Sequence, residues 1–169
     1  MALFDSNLLF TGTASSPYQT LVVTAATSGS VASTNTINLT NARDLGQGND
    51  GMGSVPKIFV FTSSSAITSA CGSATMNIQF QGSTDSTNWT TYIETGWQTT
   101  TSMAANTRIA AFDWPQRAIG AALPSYVRLN FSFSGSTTAV ISSGAVFAAI
   151  ALQGEQNAVG LYPSGFQVY

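Results

Sequence analysis

Alternation of apolar and polar residues with a period of two constrains the fold of this chain more than any other feature. The clearest run is residues 126–133, where the apolar positions are Val127, Leu129, Phe131 and Phe133. Residues 76–81 and 36–40 alternate in the same way. Successive side chains of a β-strand point to opposite faces of its sheet, so this pattern predicts strands with one face on a core and one in water. No stretch shows the 3.6-residue spacing of an amphipathic helix among helix-forming residues.

The sequence predicts about eight strands, separated by Gly-, Ser- and Asn-rich turns. They lie near residues 19–26, 34–40, 56–62, 74–81, 88–95, 107–114, 125–133 and 138–152, and the last is broken near Gly144. Residues 58–61 and 145–152 are apolar at successive positions, which predicts central strands covered on both faces. An all-β, antiparallel two-sheet sandwich follows, with a jelly roll as the preferred topology and a small closed barrel as the alternative.

The 169 residues suit one domain with terminal arms. We predict a sandwich over residues 18–152, an N-terminal arm over 1–17 and a C-terminal arm over 153–169. Both arms are rich in apolar residues without regular alternation, and apolar termini need a surface to dock on. That surface is either the chain's own sandwich or a partner.

The composition limits the classes of function. The chain has 5 Lys and Arg, 7 Asp and Glu and no His, yet it is 44% hydrophobic. About a quarter of the residues of an average soluble domain are charged. A nearly neutral surface argues against nucleic acid and anionic lipid as partners, and the apolar stretch 144–152 is much shorter than the ~20 residues that span a bilayer. Cys71 is the single cysteine, so neither an internal disulfide nor a thiolate metal cage is expected.

Candidate catalytic groups are scarce, and we expect no enzyme activity, no cofactor and no metal site. Glu94 and Asp113 form the one carboxylate pair worth considering for glycoside hydrolysis, which needs the two groups about 5–9.5 Å apart. Trp89, Trp97 and Trp114 are candidate sugar-stacking platforms, and they support an alternative function as a carbohydrate-binding module.

The few basic residues suggest protein contacts. Arg43 and Asp44 are adjacent, which suits either an interface ion pair or an ordinary surface pair. Arg108, Arg117 and Arg128 would cluster if the strands at 107–114 and 125–133 paired, and such a cluster would bind a carboxylate on another chain.

Four stretches, in this order and spacing, carry a family resemblance that covers the chain from about residue 31 to its end. They are Asn41-Ala42-Arg43-Asp44-Leu45-Gly46, the hairpin from Ile78 through Asp85 to Tyr92, the run from Phe112-Asp113-Trp114-Pro115 to Asn130, and Tyr162-Pro163-Ser164-Gly165. Together they resemble the capsid cement, or decoration, proteins of tailed bacteriophages, of the Bordetella-phage type.

The resemblance implies a jelly-roll protein on the outer surface of a phage capsid, with no catalysis and no cofactor. We expect it to bridge neighbouring major capsid subunits and to be a homo-oligomer. The residues predicted to make contacts are Leu3, Phe4, Leu8, Leu9, Phe10, Arg43, Asp44, Tyr162 and Pro163.

Overall fold

The fold consists of short, mostly antiparallel strands. The computed structural model describes residues 8–13, 15–23, 28–40, 57–69, 74–114, 124–135 and 141–151. These residues form ten strands: β1 (Gln19–Thr20), β2 (Ser28–Ala32), β3 (Ile37–Asn38), β4 (Lys57–Thr62), β5 (Thr75–Ser83), β6 (Thr90–Glu94), β7 (Gln98–Thr99), β8 (Arg108–Asp113), β9 (Tyr126–Ser134) and β10 (Ala145–Ala151). A short 3₁₀ turn at Thr100–Ser102 follows β7.

The strands form two antiparallel sheets. The four-stranded sheet has the order β1-β10-β4-β8, and the six-stranded sheet has the order β2-β9-β5-β6, with β3 also beside β9 and β7 beside β5. Because β2 and β3 pair with successive parts of β9, and β6 and β7 with successive parts of β5, each couple acts as one interrupted strand. Eight strands then pair first with last, second with seventh, third with sixth and fourth with fifth. This nested order is a jelly roll, so the predicted fold class is confirmed.

One hydrophobic core unites the inner faces of the two sheets. The six-stranded sheet contributes Val127, Leu129, Phe131 and Phe133 of β9 and Met76, Ile78 and Phe80 of β5. The four-stranded sheet contributes Ile58, Val60, Phe112, Val146, Ala148 and Ile150. The alternation in the sequence therefore identified the inward-facing positions correctly, since every apolar member of the 126–133 run is buried.

The two inner strands of the four-stranded sheet, β4 and β10, are apolar on both sides, as predicted. Phe147 is registered opposite Phe61, and Ala149 is registered opposite Phe59, on the side away from the core. Ring centroids lie 6.4 Å apart between Phe61 and Phe147 and 6.4 Å apart between Phe59 and Phe61. The Phe61–Phe147 contact joins two strands, and cross-strand aromatic pairs stabilise a sheet.

The break predicted near Gly144 lies where the chain enters β10. Gly144 has φ +134°, a conformation that L side chains rarely adopt, and an added Cβ would lie 2.9 Å from the Ile67 Cα. Its carbonyl oxygen accepts a hydrogen bond from the Leu21 amide at 2.9 Å. Glycine is therefore required here both by the backbone angle and by the close approach of another segment.

Candidate interaction surface

The described part of the predicted N-terminal arm packs on its own sandwich. Phe10 is fully buried, and its ring meets that of Phe80 edge-on at 6.2 Å. The Phe10 amide donates to the Ala148 carbonyl oxygen at 2.9 Å, and the Ala148 amide donates to Thr11 Oγ1 at 2.8 Å. This segment therefore extends the sheet edge along β10.

The other predicted contact residues divide into two groups. Leu9 is buried and bridges to Ala149 of β10, while Leu8 is half-buried and packs against the core. In this structure Leu8, Leu9 and Phe10 thus contact their own chain. The remaining predicted residues lie outside the described ranges: Leu3, Phe4, Arg43, Asp44, Tyr162 and Pro163.

The three candidate stacking tryptophans have different environments. Trp114 is buried in the core with its ring centroid 5.4 Å from that of Phe80, so it is not available as a sugar platform. Trp97 is 57% exposed beside β7. Trp89 is half-buried at the start of β6, and the Arg128 guanidinium lies over its ring.

The candidate carboxylate pair is not brought together. Glu94 lies on β6 of the six-stranded sheet, whereas Asp113 lies on β8 of the four-stranded sheet. Asp113 Oδ1 pairs with Lys57 Nζ at 2.7 Å, and Glu94 Oε2 accepts a hydrogen bond from Asn77 Nδ2 at 2.8 Å. The separation of these groups between two sheets offers no shared acid–base site.

The predicted arginine cluster does not form through strand pairing. Arg108 is on β8, in the sheet opposite to Arg128 on β9, and β8 and β9 do not pair. Arg117 lies outside the described ranges. Within those ranges, no three His, Cys, Asp or Glu side chains are grouped so as to hold a metal ion.

The outer side of the four-stranded sheet is apolar and aromatic. Phe61 and Phe147 are half-buried there, and Tyr18, which meets the Phe147 ring at 6.4 Å, is 51% exposed. Val22, beyond β1, is also exposed. Exposed aromatic side chains in one region are a feature of interaction surfaces.

The outer side of the six-stranded sheet has different chemistry: neighbouring strands place amides beside one another. Gln79 Oε1 accepts hydrogen bonds from Asn130 Nδ2 at 2.8 Å and from Ser132 Oγ at 3.3 Å. Gln79 Nε2 and Asn77 Nδ2 both donate to Glu94 Oε2, at 3.4 and 2.8 Å. We call these five residues, together with Gln81, the amide face.

The amide face is internally satisfied. Asn77, Gln81 and Asn130 are buried although they point away from the core. No buried side-chain nitrogen or oxygen among the described residues lacks a hydrogen-bond partner. Buried polar groups are costly only when they are unpaired, so this network can be covered by a partner at little additional penalty.

Arg128 lies at one end of the amide face. Its Nε donates to Gln81 Oε1 at 2.9 Å, and its guanidinium carbon lies 4.1 Å from the centroid of the Trp89 ring. Gln81 Nε2 in turn donates to Thr91 Oγ1 at 3.2 Å. Partial burial lowers the pKa of Arg128 from its usual value, because the charged form loses hydration. A guanidinium stacked on an indole and bonded at one edge has a fixed orientation.

The β5–β6 hairpin that leads into Trp89 is fixed by the Asp85 carboxylate. Asp85 Oδ1 accepts hydrogen bonds from the amides of Asn88 at 2.8 Å and Thr87 at 2.9 Å and from Ser83 Oγ at 2.9 Å, while Oδ2 accepts one from Asn88 Nδ2 at 2.7 Å. These bonds, above all the one from the Asn88 amide, hold the pKa of Asp85 well below its usual range. Ser and Asp are residue types whose side chains commonly bond the backbone of a turn, as Ser83 and Asp85 do here.

Fold and surfaces together define an all-β jelly-roll protein with two outer faces of different chemistry. In the described ranges no helix is long and apolar enough to cross a membrane. The model of the Bbp16 family matches residues 19–159, so the chain belongs to the Bbp16 family, whose name indicates a Bordetella phage protein. No curated protein matched the sequence.

Proposed function

We propose that this protein is a non-catalytic capsid cement protein. It binds the outer surface of a tailed-phage head and bridges neighbouring major capsid subunits, and it does so as a homo-oligomer. The match to the Bbp16 family over residues 19–159 is the observation that carries the proposal, because it assigns the chain to a phage-associated family. The resemblance of residues 41–46, 78–92, 112–130 and 162–165 to cement proteins supports the capsid role.

The fold supports this role physically. A jelly roll of this size presents two broad faces, and here one is aromatic and the other is a hydrogen-bonded network made mostly of amides. Neither face needs many charges to be desolvated when a partner covers it. A protein that bridges two shell subunits gains affinity because its second contact is effectively intramolecular, so modest individual contacts are sufficient. A symmetric oligomer offers two identical faces for such a bridge.

The composition of purified particles tests the proposal. A cement protein is expected in copy numbers near that of the major shell protein on a gel of intact phage, and on filled heads separated from their tails. A few copies per particle, or cofractionation with tails only, would refute the capsid role. Heads that lack the protein should rupture at lower temperature or lower osmotic stress and should regain resistance when the purified protein is added.

A second function, carbohydrate binding, is favoured by one observation. Trp97 is 57% exposed and directly precedes β7 of the six-stranded sheet, and aromatic side chains with a few polar groups line many ligand sites. A glycan array, with tryptophan fluorescence as a titration readout, distinguishes the two functions. A cement protein gives no response, whereas a sugar-binding module gives a saturable response that Trp97→Ala abolishes.

A further inference from the structure

Two side-chain contacts fix the position of the Arg128 guanidinium at the protein surface. The alternation of β9 directs it to the outer side, where Nε donates to Gln81 and the guanidinium covers Trp89. Gln81 is registered opposite Arg128 on one side and Thr91 on the other, so three strands fix the group. Fixing a long side chain in this way costs conformational entropy, whereas an exposed cation–π contact stabilises the fold by only about 0.5–1 kcal/mol.

The positive charge of Arg128 has no partner of opposite sign within the described ranges. The ion pair found there joins Lys57 to Asp113 in the other sheet. Glu94 accepts bonds from amides, and Asp85 is used by its own turn. Among the described residues, the hydrogen bond found for the Arg128 guanidinium is the one from Nε to Gln81. Burial without a counter-charge is consistent with the lowered pKa of this group.

We propose that Arg128, backed by Trp89, is the docking point for one Asp or Glu side chain on the surface of the capsid shell. A guanidinium binds a carboxylate through two parallel hydrogen bonds, and here its plane is already oriented. Arg and Trp are also the residue types that most often dominate the energy of protein interfaces. This inference rests on the proposed cement function, and it names the chemistry of the contact.

The surrounding charge favours a single carboxylate over a polyanion. Lys57 and Arg108 both belong to the other sheet, so Arg128 stands without a second described cation beside it. Nucleic acids and heavily phosphorylated surfaces need several cations for useful affinity. One carboxylate balances one guanidinium, and the charged member of the amide face next to it, Glu94, already accepts hydrogen bonds from Asn77 and Gln79.

The test measures binding of the full-length protein to purified heads that lack it, by cosedimentation at several concentrations. We expect R128Q to weaken binding by roughly 10- to 100-fold, in line with the loss of one partner of a buried interfacial charge pair. R128K keeps the charge but loses the planar fork, so we expect a smaller, roughly 3- to 10-fold loss. R108Q removes an exposed arginine from the other sheet and is the matched control, with binding within about twofold of the wild type.

The outcomes separate this inference from the proposed function. If the wild type does not bind heads at all, the cement function fails. If the wild type binds and R128Q binds equally well, or R108Q loses as much as R128Q, the docking proposal alone is overturned. The circular dichroism spectrum and the melting temperature of R128Q must match those of the wild type. If they do not, the binding measurement is repeated with R128M. Competition of head binding by free glucuronate or sialic acid, but not by acetate at the same concentration, would assign the carboxylate to a glycan and would also overturn the proposal.

Discussion

Replacement of Phe10 by alanine tests whether residues 8–11 are a structural part of the sandwich. Phe10 is fully buried, touches Phe80 edge-on and lies in the core between the sheets. Removal of a buried phenylalanine side chain costs roughly 3–5 kcal/mol in transfer and cavity terms. At about 2–4 °C per kcal/mol for a domain of this size, the melting temperature should fall by about 6–20 °C.

The assay is chemical and thermal unfolding of the isolated protein, followed by circular dichroism. Tyr18→Ala is the control, because Tyr18 is a nearby aromatic residue in the sequence that is half exposed, and we expect it to cost less than about 1 kcal/mol. A double-mutant cycle of Phe10→Ala with Phe80→Leu should show coupling, since the two rings are in contact. If Phe10→Ala leaves the stability of the isolated protein unchanged but weakens head binding, Phe10 is a partner contact and our reasoning about the core is wrong.

Three further predictions follow from local contacts. Asp85→Asn should lower the free energy of unfolding at neutral pH, and the difference from the wild type should shrink below pH 3.8. A carboxyl group whose pKa is lowered in the folded state stabilises the fold at any pH above its ordinary pKa, and this stabilisation is lost as the pH falls toward the lowered pKa. Unfolding curves measured across pH check this, and a difference that stays constant with pH would contradict it. Gly144→Ala should lower the free energy of unfolding by roughly 1–3 kcal/mol or more, because the φ angle of Gly144 disfavours an L side chain and an added Cβ would press on Ile67. Gly96→Ala should cost less, because a Cβ there meets open space. Equal melting temperatures for the two variants would refute this. Lys57→Met should change stability by less than about 1 kcal/mol, since Asp113 is largely exposed, and a larger loss in urea unfolding would show a stronger pair than the geometry implies.

The sequence predicted the longer strands best. β4, β5, β6, β8 and β9 lie within two residues of their predicted limits, and β10 begins directly after the predicted break at Gly144, because each carries apolar side chains toward the core. β2, at Ser28–Ala32, was not predicted: the expected strands ended at residue 26 and resumed at 34. Its residues are mostly Ser, Gly and Ala, which have little intrinsic preference for strands. β2 forms because it pairs with the edge of β9, and this pairing cannot be seen in the sequence of β2 itself.

The alternation of positions along each strand predicted the face of the sheet on which a polar residue lies, but not which residues it contacts. Arg128, Gln79 and Gln81 were all at outward positions of predicted strands. The contact between Gln81 and Arg128 joins residues 47 positions apart and depends on the register of β5 against β9. The predicted arginine cluster is wrong for the same reason. In this jelly roll β8 and β9 lie in opposite sheets, and no local sequence pattern indicates that placement.

The scarcity of charge, which first seemed a property of composition, has a structural counterpart in the amide face. A surface that a partner will cover must avoid desolvating unpaired ions, and each buried charge costs far more than a paired amide. Asn130 donates to Gln79, and Asn77 and Gln79 donate to Glu94, before any partner arrives, so covering these groups breaks few bonds to water. On this face, whose polar groups are mostly amides, a single oriented cation, Arg128, can determine where a partner docks, because the described cations Lys57 and Arg108 lie in the other sheet. If substitution of Asn130 by Asp, which adds a charge two residues from Arg128 along β9, left head binding unchanged, the link between low charge and attachment would be broken.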